Sequence, residues 1–422
     1  MSQRAKSFGD EDPQFVRPDF DTIAKSIADI ARQAIRLVER QARILDGTGQ
    51  YAPKKGNTAF VAFVDQKKSS RFRCHFAGFS GALEGPARTT CLAQKLLSIL
   101  LYGMTVPPNS IPPAYFDGPM LVEALDTGSL IDALADAFRV LPIAPHRLPF
   151  QLDDGKVILM PAWRNESWFG VKVSTVFPGN RAMGLATVAG SYVLVSARDG
   201  STRAFMDGRM LTLLRTAGAS ALASRHLSRG DARVLAILGA GDLAPYLVQA
   251  HAFVRPIDTV LCWNRSPGPA ERLAARLSDA GFQAHACATC REAVMGADIV
   301  SAATLSESPF IRGADLRPGT HLDLVGAFTP QMRECDAEAV SRARVFVDTR
   351  EGARDEAGDL LCAQAEGRFR FDDIAADLHD LVAGIKPGRQ AESDITLFKS
   401  VGTAIEDLAA ATLAYRRIIG ID

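Results

Sequence analysis

Between about Asp231 and Arg350 the chain alternates short apolar runs with longer segments of helical periodicity. The runs are Val234 to Leu238, Thr259 to Trp263, Ala297 to Thr304, His321 to Gly326 and Ala343 to Asp348. Each is too short for a buried helix and long enough for a buried strand. Strands alternating with helices predict an α/β fold with a doubly wound parallel sheet. The first run ends in Gly239-Ala240-Gly241 and opens directly into an apolar-periodic segment. Strand, glycine turn and helix start in that order form the dinucleotide-binding unit of a Rossmann fold.

The flanking pattern is different. Met120 to Arg139 reads as a helix, and Lys156 to Pro161 and Phe169 to Phe177 read as strands. Tyr192 to Ala197 and Thr202 to Met206 read as a hairpin around Asp199-Gly200, before a helix from Leu211 to Leu227. The tail, Ile374 to Ile419, reads as mostly helical with a break at Lys386-Pro387-Gly388. A tail packing back onto the first domain predicts a discontinuous α+β substrate and dimerisation domain, 104–228 with 352–422, around a Rossmann domain at 229–351. Residues 1–103 hold one amphipathic pattern, Phe20 to Ile44, followed by basic sequence with little periodicity. Met104 then opens the Pro-rich lead-in TVPPNSIPPAYFDG, typical of a free N-terminus. Residues 1–103 are therefore expected to be an appendage not needed for activity, or an over-called start.

Charge narrows the function classes. Lys plus Arg and Asp plus Glu number 48 each, so no basic field points to nucleic acid or a membrane surface. The stretch from Leu92 to Leu101 is interrupted by Gln94-Lys95 and is too short to span a bilayer. The N-terminus, MSQRAKSFGDEDPQ, is charged and cannot serve as a secretory h-region. Seven cysteines without a regular framework fit a reducing cytoplasm. Cys287 and Cys290 are spaced like a redox or zinc pair but lack a second ligand pair, so no metal is expected.

Gly239 permits the tight turn, and Gly241 lets a pyrophosphate approach the backbone of Gly239 to Asp242. The helix N-terminus supplies free N–H groups. Ala244 fills the third glycine position, where small size suffices for packing. The second strand ends in Asn264-Arg265-Ser266, where NAD-preferring sites usually carry a carboxylate. Arg265 can pair with a 2′-phosphate and its two neighbours can donate to it, so NADPH is expected, with NADH possible. Ligands of such sheets sit at the carboxyl ends of the strands. That places Thr304, Ser306, Val325 and Gly326 on the nicotinamide side. Arg147, Lys172 and Arg215 stand among apolar neighbours, where charge is costly to bury without an anion. A bound carboxylate would answer that cost.

These pieces are ordered as in the ornithine cyclodeaminase/mu-crystallin family, which the chain resembles from about Phe116 to its C-terminus. The shared motifs are LMPAW (159–163), GVKVST (170–175), FPGN (177–180), GLATV (184–188) and MDGRMLT (206–212). LRTAGASALA (214–223), ILGAGD (237–242) and CWNR (262–265) follow. GADIVSAATLSESP (296–309), RPGTHLDLVGAFTP (317–330) and FKSVGTAIED (398–407) complete the series. The resemblance implies a homodimer in which Arg147, Lys172 and Arg215 surround a substrate carboxylate, with Thr187 beside it. Cyclodeaminases carry an Asp after the Val-Gly motif to handle the substrate amine. Here Phe328 stands in that place, which argues against deamination of ornithine. Phe328 suits a flat cyclic substrate, or simply packs on the core at a strand end.

The VGAFTP string with Arg333-Glu334 is similar to the family's Δ1-pyrroline-2-carboxylate reductases. These reduce a cyclic imino acid to L-proline, and often Δ1-piperideine-2-carboxylate to L-pipecolate. The expected mechanism has the substrate carboxylate held by Arg215, Arg147 and Lys172, while Lys172 orients the substrate and relays a proton. Phe328 and the Thr304-Leu305-Ser306 loop wall the ring. The rivals are a cyclodeaminase, an amino-acid or opine-type dehydrogenase, and a non-catalytic NADPH-dependent binding protein.

Overall fold

The computed structural model describes residues 112–421, with the backbone alone at Arg181, and two short paired strands upstream, β1 (His75–Phe76) and β2 (Phe79–Ser80). The amphipathic segment at 20–44, the stretch at 92–101 and the charged N-terminus lie outside the described residues. The chain divides into two units, Met1–Thr105 and Val106–Asp422. The second holds every element from Ala114 onward.

Its first sheet has six strands in the order β3-β8-β7-β6-β5-β4. These are β3 (Ala114–Phe116), β4 (Leu148–Leu152), β5 (Gly155–Arg164), β6 (Trp168–Val176), β7 (Val188–Ser196) and β8 (Thr202–Asp207). In β5 the buried row is Ile158, Met160 and Ala162, while the residues between them are half-exposed, as period-two patterning requires. In β6 the buried row is Gly170 and Lys172. A lysine therefore occupies a core position of this sheet.

The helix expected over Met120 to Arg139 is two helices, α1 (Gly118–Ala124) and α2 (Thr127–Arg139). Asp126 accepts from the Ser129 N–H and so starts a second helix where the pattern looked continuous. The helix after β8, α3 (Gly208–Leu227), is buried nearly all round and packs on strands of both sheets. A helix without a polar face belongs in the interior. It carries Arg215 into the middle of the molecule.

The second sheet is parallel throughout, in the order β11-β10-β9-β12-β13-β16-β14-β15. Its strands are β9 (Val234–Leu238), β10 (Thr259–Trp263), β11 (Gln283–Ala286), β12 (Ile299–Ala302), β13 (His321–Leu324), β14 (Arg344–Val347), β15 (Ala376–Asp377) and β16 (Thr396–Lys399). Connections run outward from β9 through β10 to β11, then return to β12 on its other side. The reversal between β9 and β12 is a topological switch point, where open α/β sheets bind ligands.

The tail corrects the sequence reading. Residues 352–422 do not belong as a whole with the first domain, because β15 and β16 are strands of the parallel sheet. β16 is a central strand between β13 and β14, buried at all four positions. Its four residues carry too little periodicity to read as a strand; pairing on both edges makes it one. Arg389 locks it by donating to the carbonyls of Leu227 and Gly319 and to Thr396 Oγ1. The chain then returns as α11 (Ala404–Ile419), which packs on α2, α3 and the first sheet.

Candidate active site

The glycine turn lies at the switch point. Gly239 has φ +107°, and a Cβ there would lie 2.7 Å from the Ala303 carbonyl oxygen. Only glycine serves both the backbone conformation and the close approach to the end of β12. A Cβ on Gly241 would meet nothing within 4 Å, so this side of the turn is open. The following helix, α4 (Ala244–Val254), has no side-chain cap at Leu243. Uncapped N–H groups at a helix start beside an open glycine fit a pyrophosphate.

Asn264 serves this turn rather than standing free. Its Oδ1 accepts from the Ala240 N–H at 3.3 Å, and its Nδ2 donates to the Ser266 carbonyl at 3.0 Å. The side chain expected to donate to a 2′-phosphate is thus engaged in shaping the loop. Arg265 and Ser266 are exposed beside it. Asp242 pairs with Arg209 from the start of α3, which offsets its charge next to the open glycine turn.

At the next two strand ends, one buried carboxylate joins the loops. Glu334 Oε1 accepts from Thr304 N at 2.7 Å and Thr304 Oγ1 at 2.8 Å, and Oε2 accepts from Gly326 N at 2.9 Å. Asp359 in turn accepts from the backbone N–H groups of Glu334 and Cys335, and its other oxygen stands 3.1 Å from Lys399 Nζ. Burial pushes the Glu334 carboxyl up to about 7; Asp359 adds to this, while Lys399 and Thr304 oppose it. The hydroxyl of Thr304, expected to face the cofactor, is committed to Glu334. Ser306 Oγ donates to the Ser308 carbonyl within its own loop. Val325 is buried, and Gly326 lies against Thr304.

The cationic residues meet between α3, β6 and α11. Lys172 Nζ lies 3.0 and 2.8 Å from the two oxygens of Asp407 and donates to Thr212 Oγ1 at 3.3 Å. Arg215 donates through Nε to Asp407 at 3.0 Å and through Nη1 to Glu406 at 2.5 Å. Arg147 pairs through Nε with Glu356 at 2.9 Å and donates to the carbonyls of Val401 and Gly402. Gly402, at φ +78°, lies against Arg215; a Cβ there would come within 2.7 Å of Nη1.

The structure thus brings Lys172 and Arg215 together and links Arg147 to them through Gly402. It also corrects the reason expected for their burial. The chain's own Glu406, Asp407 and Glu356 already answer the three charges, so no external anion is needed to bury them.

Burial lowers the Lys172 ammonium to about 8; Asp407 holds it up, and Arg215 and Arg147 push it down. Loss of water is the larger cause and the neighbouring cations the smaller. Burial raises Glu406 to about 7 against the pull of Arg215. For Asp407, Lys172 and Arg215 overcome burial and hold the carboxyl below its ordinary value. Gly170, two positions before Lys172, makes room for Tyr192, whose Oη would lie 1.9 Å from a Cβ there.

The two remaining nominees stand apart from this group. Phe328 is half-buried and packs on the apolar cluster of one face of the parallel sheet. Thr187 precedes β7, where its carbonyl accepts from Phe177 N. Lys172 pairs with Tyr192, five positions further along that strand. At roughly 3.3 Å per residue, that is a backbone separation of about 16 Å. A cavity of about 370 Å³ opens beside Arg147, with Asp348, Glu356, His379, Gly402 and Thr403 in its wall. Of the nominated substrate residues, only Arg147 lines it.

Sequence reasoning passed over Glu334, Asp359, Lys399, Glu356, Glu406 and Asp407 as functional groups. Glu406 and Asp407 stood in the quoted FKSVGTAIED motif. Acids in the first turn of a helix ordinarily read as exposed dipole partners. Cys287 and Cys290 are half-buried, and loss of water pushes the Cys290 thiol up to about 12 and raises that of Cys287, which disfavours a reactive thiolate at either. Among the described residues, no group of three or more His, Cys, Asp or Glu is arranged to hold a metal. No described helix is long and apolar enough to cross a membrane.

The switch-point glycine turn, the open helix start and the cationic group in the adjoining domain define a nicotinamide-dinucleotide oxidoreductase fold. The chain belongs to the ornithine cyclodeaminase/mu-crystallin family, whose model matches residues 125–421. It is 40% identical over 267 residues to the Δ1-pyrroline-2-carboxylate reductase of Paracoccus denitrificans, covering 63% of this chain and 84% of that protein. It superposes with a TM-score of 0.70 on the Thermococcus litoralis Δ1-pyrroline-2-carboxylate reductase in complex with NADH and L-proline, at 33% identity, covering 73% and 98% of the two chains. An archaeal alanine dehydrogenase dimer with bound NAD gives a TM-score of 0.70 at 27% identity, covering 73% and 96%.

Proposed function

We propose that this chain reduces a cyclic imino acid with NAD(P)H, converting Δ1-pyrroline-2-carboxylate to L-proline, and its six-membered homologue to L-pipecolate. The observation that carries this reading is Lys172, buried on Asp407, which it shares with Arg215, with an ammonium lowered to about 8 by burial and by the charges of Arg215 and Arg147. The named reductases among the relatives support it.

The backbone of Gly239 to Asp242 holds the pyrophosphate, and Arg265 with Ser266 recognises a 2′-phosphate. When bound, the cofactor supplies a hydride for the imine carbon. Arg215, Arg147 and Lys172 draw in the substrate carboxylate, in competition with the internal acids Glu406, Asp407 and Glu356 that pair with them. Lys172 is charged at neutral pH and close enough to its deprotonation point to give up a proton toward the ring nitrogen. Phe328 places no carboxylate at the end of β13, so nothing there activates an amine for elimination.

We further propose that the active form is a homodimer. In the edge strand β4, Leu148, Phe150 and Leu152 are 44–51% exposed on one side, and Tyr115 and Phe205 are exposed on the other strands. Such an apolar sheet face calls for a partner surface. A second copy covers it, and sedimentation velocity should give twice the chain mass.

Steady-state assays test the activity. NADPH oxidation is expected with Δ1-pyrroline-2-carboxylate and to depend on the imine alone. Turnover only with a 2-oxo acid plus ammonia would replace this reading with a dehydrogenase. Ammonia release from ornithine would replace it with a cyclodeaminase.

A further inference from the structure

Glu334 touches neither the glycine turn nor the cationic group, yet it is fully buried at the carboxyl ends of β12 and β13. Its two oxygens take three donors, two from the loop after β12 and one from the turn after β13. The spacing there leaves no room: a Cβ on Gly326 would lie 2.1 Å from the Thr304 carbonyl oxygen and 2.5 Å from Glu334 Oε1. The backbone around Glu334 straps down the rest of the loop. Arg333 N donates to the Ser306 carbonyl at 2.7 Å, and Phe310 and Ile311 donate to the Glu334 carbonyl at 3.0 Å. Asp359 fixes the Glu334 backbone from α9 (Gly358–Ala365), and Lys399 of β16 faces Asp359. Two loops of the sheet's carboxyl edge therefore meet on the Glu334 carboxylate, while α9, paired with Lys399 of β16, holds its backbone.

We propose that Glu334 is a positioning residue for the nicotinamide half of the cofactor. It acts through Thr304 and Gly326, locking the loop after β12 to the turn after β13 so that the wall facing the ring is formed before the ring arrives. A wall assembled in advance costs the ligand no ordering on binding. The phosphate and adenine end, held at Gly239 to Asp242 and at Arg265, lies on loops that Glu334 does not touch. The inference rests on the cofactor reading given above, and it separates the two halves of the dinucleotide.

Glu334→Gln keeps the volume and removes one acceptor. Whichever way the amide turns, its NH2 faces a backbone N–H, of Thr304 or of Gly326, and that arm is lost. The test measures the dissociation constants of NADPH and of 2′-phospho-ADP-ribose, which lacks the nicotinamide, for the full chain and for Glu334→Gln. Calorimetry reads both without turnover. NADPH is expected to bind at least about tenfold more weakly to the variant. The fragment is expected to bind within about twofold of the parent chain.

Equal weakening of both ligands, or no change in either, would overturn the proposal. A parent chain that binds neither ligand would remove the cofactor reading itself, and the proposal with it. Should Glu334→Gln fail to fold, Thr304→Val removes one of the three donors and leaves the carboxylate in place. It is expected to show the same selectivity at about threefold, and the same loss for both ligands would count against the role of Glu334.

Discussion

Replacing Lys172 with alanine is expected to lower kcat/KM for Δ1-pyrroline-2-carboxylate by about 10²- to 10⁴-fold, the range of a lost general acid. NADPH affinity should change little, because Lys172 lies on β6 in the first sheet while the glycine turn lies on the second. The fold should survive, since Asp407 keeps its bond from Arg215 Nε. Lys172→Arg separates charge from proton transfer. It preserves a cation opposite Asp407, but a guanidinium does not give up its proton. Activity near that of the alanine variant would assign Lys172 to proton delivery, whereas substantial recovery would reduce it to charge. The pH profile carries the same sign. The donor is the ammonium, present below about 8, so kcat/KM should fall as pH rises through that value and lose this limb in both variants.

Arg215→Ala should damage stability as well as activity. Arg215 is the hydrogen-bonding partner of Glu406, and it shares Asp407 with Lys172. Removing one member of a buried ion pair commonly costs about 3–5 kcal/mol, because the remaining charge is left in a low dielectric. Denaturant unfolding of parent and variant measures the loss. Its pH dependence follows from Glu406, whose carboxyl is raised to about 7 by burial with Arg215 still opposing. A carboxyl raised in the folded state binds its proton more tightly there than in the unfolded chain. Its contribution is therefore fully present below the ordinary carboxylate value and is lost as pH rises through about 7. Without Arg215 the raised value climbs further, so the deficit should be smaller at pH 6 than at pH 8. A deficit that grows toward acid pH would contradict the assignment of Glu406 as the orphaned group.

The parallel sheet around β9 was legible because each strand there is a short apolar run closed by a recognisable turn. Thr259 to Trp263 matches β10 at both ends for this reason. β16 was not legible: four residues ending in lysine look like a strand only once β13 and β14 lie on either side. Lys172 and Arg215 were visible as charges among apolar neighbours, and the structure buries both. Their partners were hidden, because burial of Glu406 and Asp407 depends on how α11 returns against α3. Glu334 was noticed beside Arg333 in the reductase-like string, but its task was hidden for a related reason. Its meaning lies in backbone donors at Thr304 and Gly326, and backbone donors leave no mark in a sequence. Asn264 showed the opposite failure: its amide oxygen accepts from the glycine turn at Ala240, and its donor is spent on the Ser266 carbonyl.

Isotope transfer reads net hydride delivery to an imine carbon directly. NADPH carrying deuterium at the transferable C4 position should be consumed one for one with Δ1-pyrroline-2-carboxylate, giving L-proline labelled at its α-carbon. Unlabelled proline, or ammonia released from ornithine without net NADPH consumption, would contradict the account.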